Sequence, residues 1–371
     1  MIDGGRVKQV REMHLLTQAD LADRIPNLTQ SQLSRIEANR SMPDGETLAL
    51  LAANLGVTTD FFNRDTVSGL DIHTPQLRSR SRLTERVKNA AVQWTRLIYG
   101  EYERLRQPSA APATRLIPIR DTDVRDAAAK VRNLLGFTSS EPLPYLVLAA
   151  ERIGVTVLGL PFSTENLDAL CAWRGGEPVI GLLQGVPGDR LRFNVAHELG
   201  HLVLHHPGQA GRIVEAEADA FAAELLTPLD AISLAMPRSP TLSNLTMLKT
   251  QWGVSVKSLV WRARELGIID ADRATGLYRQ ISARGWNRME PGHVPTEKPR
   301  AFKKLAEGRY GLNLNVQKLA ADAGWSEELA FLVLDQHATA GELPHQPPAP
   351  RRAHARNVIA LHGRAQRAAN N

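Results

Sequence analysis

The residues best suited to chemistry lie at 193–205: Phe193-Asn194-Val195-Ala196-His197-Glu198-Leu199-Gly200-His201-Leu202-Val203-Leu204-His205. On a helix, His197 and His201 stand one turn apart on the same face. Two imidazoles so placed can share one tetrahedral zinc ion, which needs a third protein ligand and an open fourth position for water. Glu198 lies about 100° round the helix from His197. From there it can reach that water without binding the metal itself. The chemistry indicated is metal-assisted hydrolysis with Glu198 as general base.

The segment Val214-Glu215-Ala216-Glu217-Ala218-Asp219-Ala220-Phe221-Ala222-Ala223-Glu224-Leu225-Leu226-Thr227-Pro228 can supply the third ligand. Glu215 follows His201 by 14 residues, room for a turn and an antiparallel return. Glu215 and Asp219 share a helix face, so Glu215 can bind the metal while Asp219 accepts a hydrogen bond from the far nitrogen of a ligand histidine. Glu217 points to a different face and is the second choice. Ala218, Phe221, Ala222 and Leu225 form the packing stripe. His205 continues the i+4 series, but a fourth protein ligand would close the site to water, so His205 and His206 are read as surface or supporting histidines. Cys171 is read as a packed core thiol. Trp173 to Leu182 reads as a hairpin whose edge strand lies beside the cleft, where an extended peptide could add.

On these residues the chain resembles the ImmA/IrrE family of metallopeptidases. The shared pattern is His-Glu-Leu-Gly-His at 197–201 followed by Glu-x-x-Ala-Asp-x-Phe-Ala-Ala-x-Leu-Leu-x-Pro at 215–228. The resemblance implies one catalytic zinc on His197, His201 and Glu215, with Glu198 as base. It also implies a protein substrate, a repressor whose cleavage lifts repression. An oxyanion donor is needed as well; Tyr278, Arg279 and His293 are unranked candidates.

A second constellation lies near the N-terminus. Thr17 is suited to cap one short helix, with Leu21 and Ala22 inward, and Thr29 to cap another, Gln30-Ser31-Gln32-Leu33-Ser34-Arg35-Ile36-Glu37. Leu33 and Ile36 would pack inward, leaving Gln30, Ser31, Ser34 and Arg35 outside, side chains that pair with base edges. This is the layout of a helix-turn-helix recognition helix. Residues 6–62 resemble the Xre/Cro repressor family, which implies a phosphate contact for Gln18 and base reading by the outer face of 30–35. In one departure, the turn reads one residue longer than usual, with Pro26-Asn27 where a glycine is common. Residues 1–62 carry 6 Lys/Arg against 8 Asp/Glu. Phosphate neutralisation supplies most DNA affinity, so that balance lends support to a rival reading, a dimerisation or protein-contact module; DNA binding is the expected role, helped by the basic segment beyond the domain.

The elements that must hold these groups can be read more coarsely. Helical periodicity covers 82–106 with Leu83, Val87, Ala90, Ala91, Trp94, Leu97 and Ile98 on one side. A linker is expected at 107–113. Helices are expected at Val124–Leu135 and Tyr145–Ile153, strands at Gly154–Leu158 and Glu177–Leu183, and long helices near 190–205 and 213–226. A helical unit at 300–336 contains Val316-Gln317-Lys318-Leu319-Ala320-Ala321-Asp322-Ala323-Gly324-Trp325. Its Ala-x-x-x-Gly spacing is that of a helix-turn-helix; it is expected to pack onto the histidine-bearing domain, with a second DNA or protein contact as the alternative.

Composition excludes several classes. No apolar run approaches the ~20 residues of a membrane span, and the N-terminus leads into no apolar signal segment. A single cysteine, Cys171, excludes an intramolecular disulfide or multi-cysteine metal site. The expectation is a cytoplasmic protein without membrane partners. The net charge of +6 rests on two basic segments, 63–106, with 9 Lys/Arg against 5 Asp/Glu, and 344–371, with 5 Arg and no acid, offset by a slight acidic excess in the rest of the chain. Either could help hold nucleic acid.

The whole is expected to be multidomain and mainly α. An all-α helix-turn-helix domain at 1–65 leads through a helical connector and linker at 66–115 to an α+β, zincin-like metallopeptidase domain at 116–290. A small helical unit at 291–343 and a basic, disordered tail at 344–371 follow. The expected partners are double-stranded DNA, a repressor-like protein substrate and a second copy in a homodimer. The function indicated is a zinc endopeptidase fused to a DNA-binding domain. The rival is a transcriptional regulator whose metalloprotease-like domain senses a ligand or metal without proteolysis.

Overall fold

The computed structural model describes residues 2–64, 71–73, 85–106, 114–164 and 167–343. The linker expected at 107–113 and the tail expected at 344–371 lie outside the described residues. The described residues form two compact units, one from Met1–Ser68, Leu83–Ser109 and Phe302–Asn371, the other from Gly69–Arg82 and Ala110–Ala301.

The first unit opens with helices α1 (Gly4–Met13), α2 (Gln18–Ala22), α3 (Gln30–Glu37) and α4 (Gly45–Leu55), then a 3-10 turn at Thr59–Asn63. Their starts follow from side-chain caps. Thr17 and Asp20 reciprocally satisfy the first turn of α2, and Thr29 and Gln32 do the same for α3. Leu21, Leu33, Leu51, Leu55, Phe61 and Phe62 are fully buried. Asn27 takes the left-handed backbone, φ 60°, the conformation glycine would supply and asparagine tolerates; this reconciles the unusual turn with the fold. Helices α1 and α3 nearly touch, since a Cβ on Gly4 would sit 1.9 Å from the Ile36 carbonyl oxygen. Beside that crossing Arg11 meets Glu37 through two parallel bonds of 2.6 and 2.8 Å, both groups buried. Helix α5 (Glu85–Arg106) packs along α1 with Ala90, Ala91, Trp94, Leu97 and Ile98 buried, and Gln93 donates to Glu12 at 2.9 Å.

The second unit contains α6 (Val124–Leu134), α7 (Leu146–Arg152) and strands β1 (Asp71–His73), β2 (Thr156–Leu160), β3 (Ala169–Arg174) and β4 (Glu177–Leu183). The sheet order is β1-β3-β4-β2, with β4 parallel to β2 and antiparallel to β3. The expected hairpin is present, turning at Gly175-Gly176. Neither of its strands is an edge, however. β3 is flanked by β1, which pairs His73 with Cys171 across an antiparallel ladder, and β4 is flanked by β2. An extended peptide therefore finds no free edge on the hairpin.

The long helices α8 (Gly188–Leu204) and α9 (Arg212–Leu226) follow, then α10 (Leu229–Ala235), α11 (Leu242–Trp252), α12 (Val256–Glu265) and α13 (Ala271–Ala283). Helix α8 packs on β3, where Trp173 donates from its indole nitrogen to the Leu202 carbonyl at 3.2 Å. Its first turns are clamped by buried charges. Arg192 pairs with Glu297 and donates to the carbonyls of Gly253 and Leu143, and Lys249 bridges Asp189 and Glu290.

Helices α14 (Ala301–Tyr310), α15 (Val316–Ala323) and α16 (Glu327–Asp335) are the last elements among the described residues. From Phe302 onward they fold with the N-terminal unit, not with the histidine-bearing domain as the sequence suggests. The reason is specific pairing. Val57 and Trp325 form a β-bridge, Thr58 donates to the Gly324 carbonyl at 2.9 Å, and Ser326 donates to the Gly56 carbonyl at 3.0 Å. Arg104 on α5 also donates to the Tyr310 hydroxyl at 2.6 Å.

Removing one partner of a buried ion pair strands the other, at a cost of ~3–5 kcal/mol. Glu37→Ala should therefore shift this unit's unfolding to clearly lower denaturant. The paired replacement Arg11→Met with Glu37→Leu should recover most of the loss in the same titration.

Candidate metal centre

Helix α8 carries His197 and His201 on the face that meets α9. The helices approach closely because the contact is made of small residues. Ala218 and Ala222 are fully buried, and a Cβ on Gly200 would come within 3.1 Å of the Phe221 ring. That approach brings Glu215, in the first turn of α9, against both imidazoles. His197 Nε2 and His201 Nε2 lie 3.0 Å apart, and Glu215 lies 3.4 Å from the former and 3.6 Å from the latter. One donor atom from each of the three residues falls within 4.8 Å of the others, so all three can reach one ion.

The proton positions support that use. Asp219 Oδ1 lies 3.0 Å from His197 Nδ1. A carboxylate there holds the ring proton on Nδ1, which leaves the Nε2 lone pair facing the other two donors. Nε2 of His201 lies 3.0 Å from that nitrogen, close enough for one ion to be shared by both rings. The donor set of two imidazole nitrogens and one carboxylate is of the kind zinc takes at catalytic sites. Without a metal the site draws in a proton instead. Burial disfavours the His197 imidazolium, but Asp219 and Glu215 outweigh it and raise its pKa to about 10.

Glu198 is buried beneath this cluster, 2% exposed, with Oε2 lacking a hydrogen-bond partner. Burial raises its pKa to about 7, against the opposing pull of His197 and a hydrogen bond from Cys171. Cys171 on β3 is fully buried, and that burial, reinforced by Glu198, pushes its thiol well above the usual range. It is a neutral donor to Glu198, in keeping with a core thiol. Its contact with Glu198 has no signature in sequence spacing, because β3 and α8 are brought together only by the tertiary fold.

The remaining candidates separate cleanly. Glu217 does not join the three donors; it lies 3.1 Å from His205 Nε2. Tyr278 packs on the core of its unit, while Arg279 and His293 are exposed. In the first unit Gln30, Ser31, Ser34 and Arg35 all lie exposed on α3, opposite the buried Leu33 and Ile36. Gln18 is half-buried and donates to Glu37 at 2.8 Å, so its amide is braced against α3.

Residues 150–264 match the family model of the IrrE N-terminal-like domain, a peptidase family, and residues 7–62 match a helix-turn-helix family model. No curated protein matches the chain. Among the described residues, no helix is long and apolar enough to cross a membrane.

The burial of Cys171 sets a direct check on this arrangement. Iodoacetamide at neutral pH should leave the native chain unmodified by mass spectrometry and alkylate it fully in denaturant. Rapid modification of the native chain would place the thiol outside the core.

Proposed function

We propose that this chain, an Xre-like helix-turn-helix DNA-binding domain joined to an IrrE/ImmA-like domain of metallopeptidase type, is a zinc-dependent endopeptidase. Its proposed substrate is a transcriptional repressor or related regulatory protein, cleaved to switch gene expression in a phage, mobile-element or stress response. The observation carrying this reading is the convergence of His197, His201 and Glu215 above a buried carboxylate, Glu198, that has an oxygen without a hydrogen-bond partner. Structural zinc sites do not require such a base.

His197, His201 and Glu215 would hold one zinc ion, with Asp219 fixing the ring of His197. Bound there, zinc would supply Lewis acidity for hydrolysis of a peptide bond. Glu198 takes the proton of the attacking water and returns it to the amine nitrogen as the C–N bond breaks. A pKa near neutrality suits both transfers, and burial provides it. Cys171 donates to the same carboxylate and steadies its orientation. In the first unit, Gln30, Ser31, Ser34 and Arg35 would read base edges and Gln18 would approach a phosphate. Localisation in the cytoplasm and pairing as a homodimer accord with this reading.

Three outcomes test it. Purified chain should carry about one zinc by elemental analysis; Glu215→Ala should lose most of it, and Glu217→Ala far less. Glu198→Gln should retain metal and DNA binding yet cleave a co-expressed repressor ~10²–10⁴-fold more slowly, while His201→Ala should lose metal and cleavage together. Should Glu198→Gln complement a deletion strain fully while His201→Ala does not, metal-dependent sensing replaces proteolysis as the function. For the DNA face, Arg35→Ala should erode discrimination among duplexes in a binding selection more than it weakens non-specific binding. Absence of any enriched site with the wild type would make the domain a protein-contact module.

A further inference from the structure

Asp219 supports the ring of His197, and the ring of His201 meets another histidine. Nδ1 of His201 lies 3.0 Å from Nδ1 of His205, and His205 Nε2 lies 3.1 Å from Glu217 Oε2. His205 is the residue at which α8 ends. Its backbone is extended, φ −109° and ψ 153°, and its ring is buried against His201. Glu217 is half exposed and sits at the margin of a cleft of about 910 Å³ that also includes Arg120, Thr122, His206 and Arg212.

We infer that His205 and Glu217 form a relay that fixes the tautomer of His201 and thereby keeps its Nε2 free to bind metal; the inference rests on the proposed zinc site. The chemistry allows one order of protons. The carboxylate of Glu217 can only accept, so His205 carries its proton on Nε2. Nδ1 of His205 is then an acceptor, and the proton between the two rings belongs to His201 Nδ1. That leaves the His201 Nε2 lone pair facing His197 and Glu215. Reversing the relay would put a proton on His201 Nε2, where a metal must bind. His205 is thus a positioning residue acting through His201, and Glu217 positions His205.

The test is zinc affinity of the full chain, measured by competition with a chromophoric zinc chelator. Circular dichroism of each metal-free variant provides the check on folding. His205→Leu should weaken zinc binding about 10–100-fold, the scale seen when the outer partner of a metal-bound histidine is lost. His205→Gln, whose amide oxygen can accept from His201, should recover most of that loss. Glu217→Leu should weaken binding in the same direction but less, and the double variant His205→Leu, Glu217→Leu should be no worse than His205→Leu alone. Residues acting in series give such non-additivity, whereas independent sites add. Combining His205→Leu with Asp219→Leu should multiply the losses, because Asp219 serves the other ring. Unchanged affinity in His205→Leu and Glu217→Leu, or fully multiplicative effects of the two, overturns the relay. Failure of the wild type itself to bind zinc overturns the metal reading beneath it. A folded His205→Gln as weak as His205→Leu reduces His205 to a packing role and also overturns the relay.

Discussion

Helices α8 and α9 meet where Gly200 faces Phe221 and where Ala218 and Ala222 replace larger side chains. The distance set there fixes everything polar above it. A carboxylate in the first turn of α9 reaches two imidazoles on α8 only if the backbones come close. Enlarging the Gly200 position would push Phe221 away and carry Glu215 with it. The glycine of His-Glu-Leu-Gly-His is thus a packing residue on which the geometry of the chemical residues depends. The buried clamps at the start of α8, from Arg192 and Lys249, hold the same helix against the rest of its unit.

The site gathers negative charge in a place from which water is largely excluded. Glu198 is buried, Glu215 is mostly buried and Asp219 lies just outside, all near two rings that are neutral when they bind metal. Uncompensated, such a group of carboxylates costs several kcal/mol. Burial raises the pKa of Glu198, and the Asp219 and Glu215 carboxylates raise that of His197 against its own burial, so each draws in a proton that a divalent cation would make unnecessary. The site therefore favours a cation electrostatically as well as geometrically. The hydrogen bond from Cys171 adds a neutral donor without adding charge.

Much of this is legible in the sequence, for reasons that differ by element. The i,i+4 histidines and the Glu215–Asp219 pair are local, because helical periodicity alone puts them on shared faces. The caps at Thr17 and Thr29 are equally local, and so is the exposed row on α3. What is not legible depends on long-range partners. Nothing near Ala169–Arg174 reveals that the strand is flanked by Asp71–His73, so the hairpin reads as having a free edge. Nor does the 316–325 segment announce that Trp325 will bridge to Val57; its helical pattern is indifferent to which domain it joins. The exchange between His201 and His205 lies between these cases. The i+4 spacing is visible, but the role depends on α8 ending at His205 and on Glu217 arriving from α9.

The central claim is that α8 and α9 build a site for one zinc on two imidazoles and one carboxylate, with room left for water. X-ray absorption at the zinc edge tests it most directly on the full chain as purified. The account predicts a four-coordinate shell of nitrogen and oxygen only, at about 2.0–2.2 Å, with outer-shell scattering from two imidazoles, and from one after His201→Ala if any metal remains. A spectrum with sulfur in the first shell, or one unaltered by loss of His201, would contradict it.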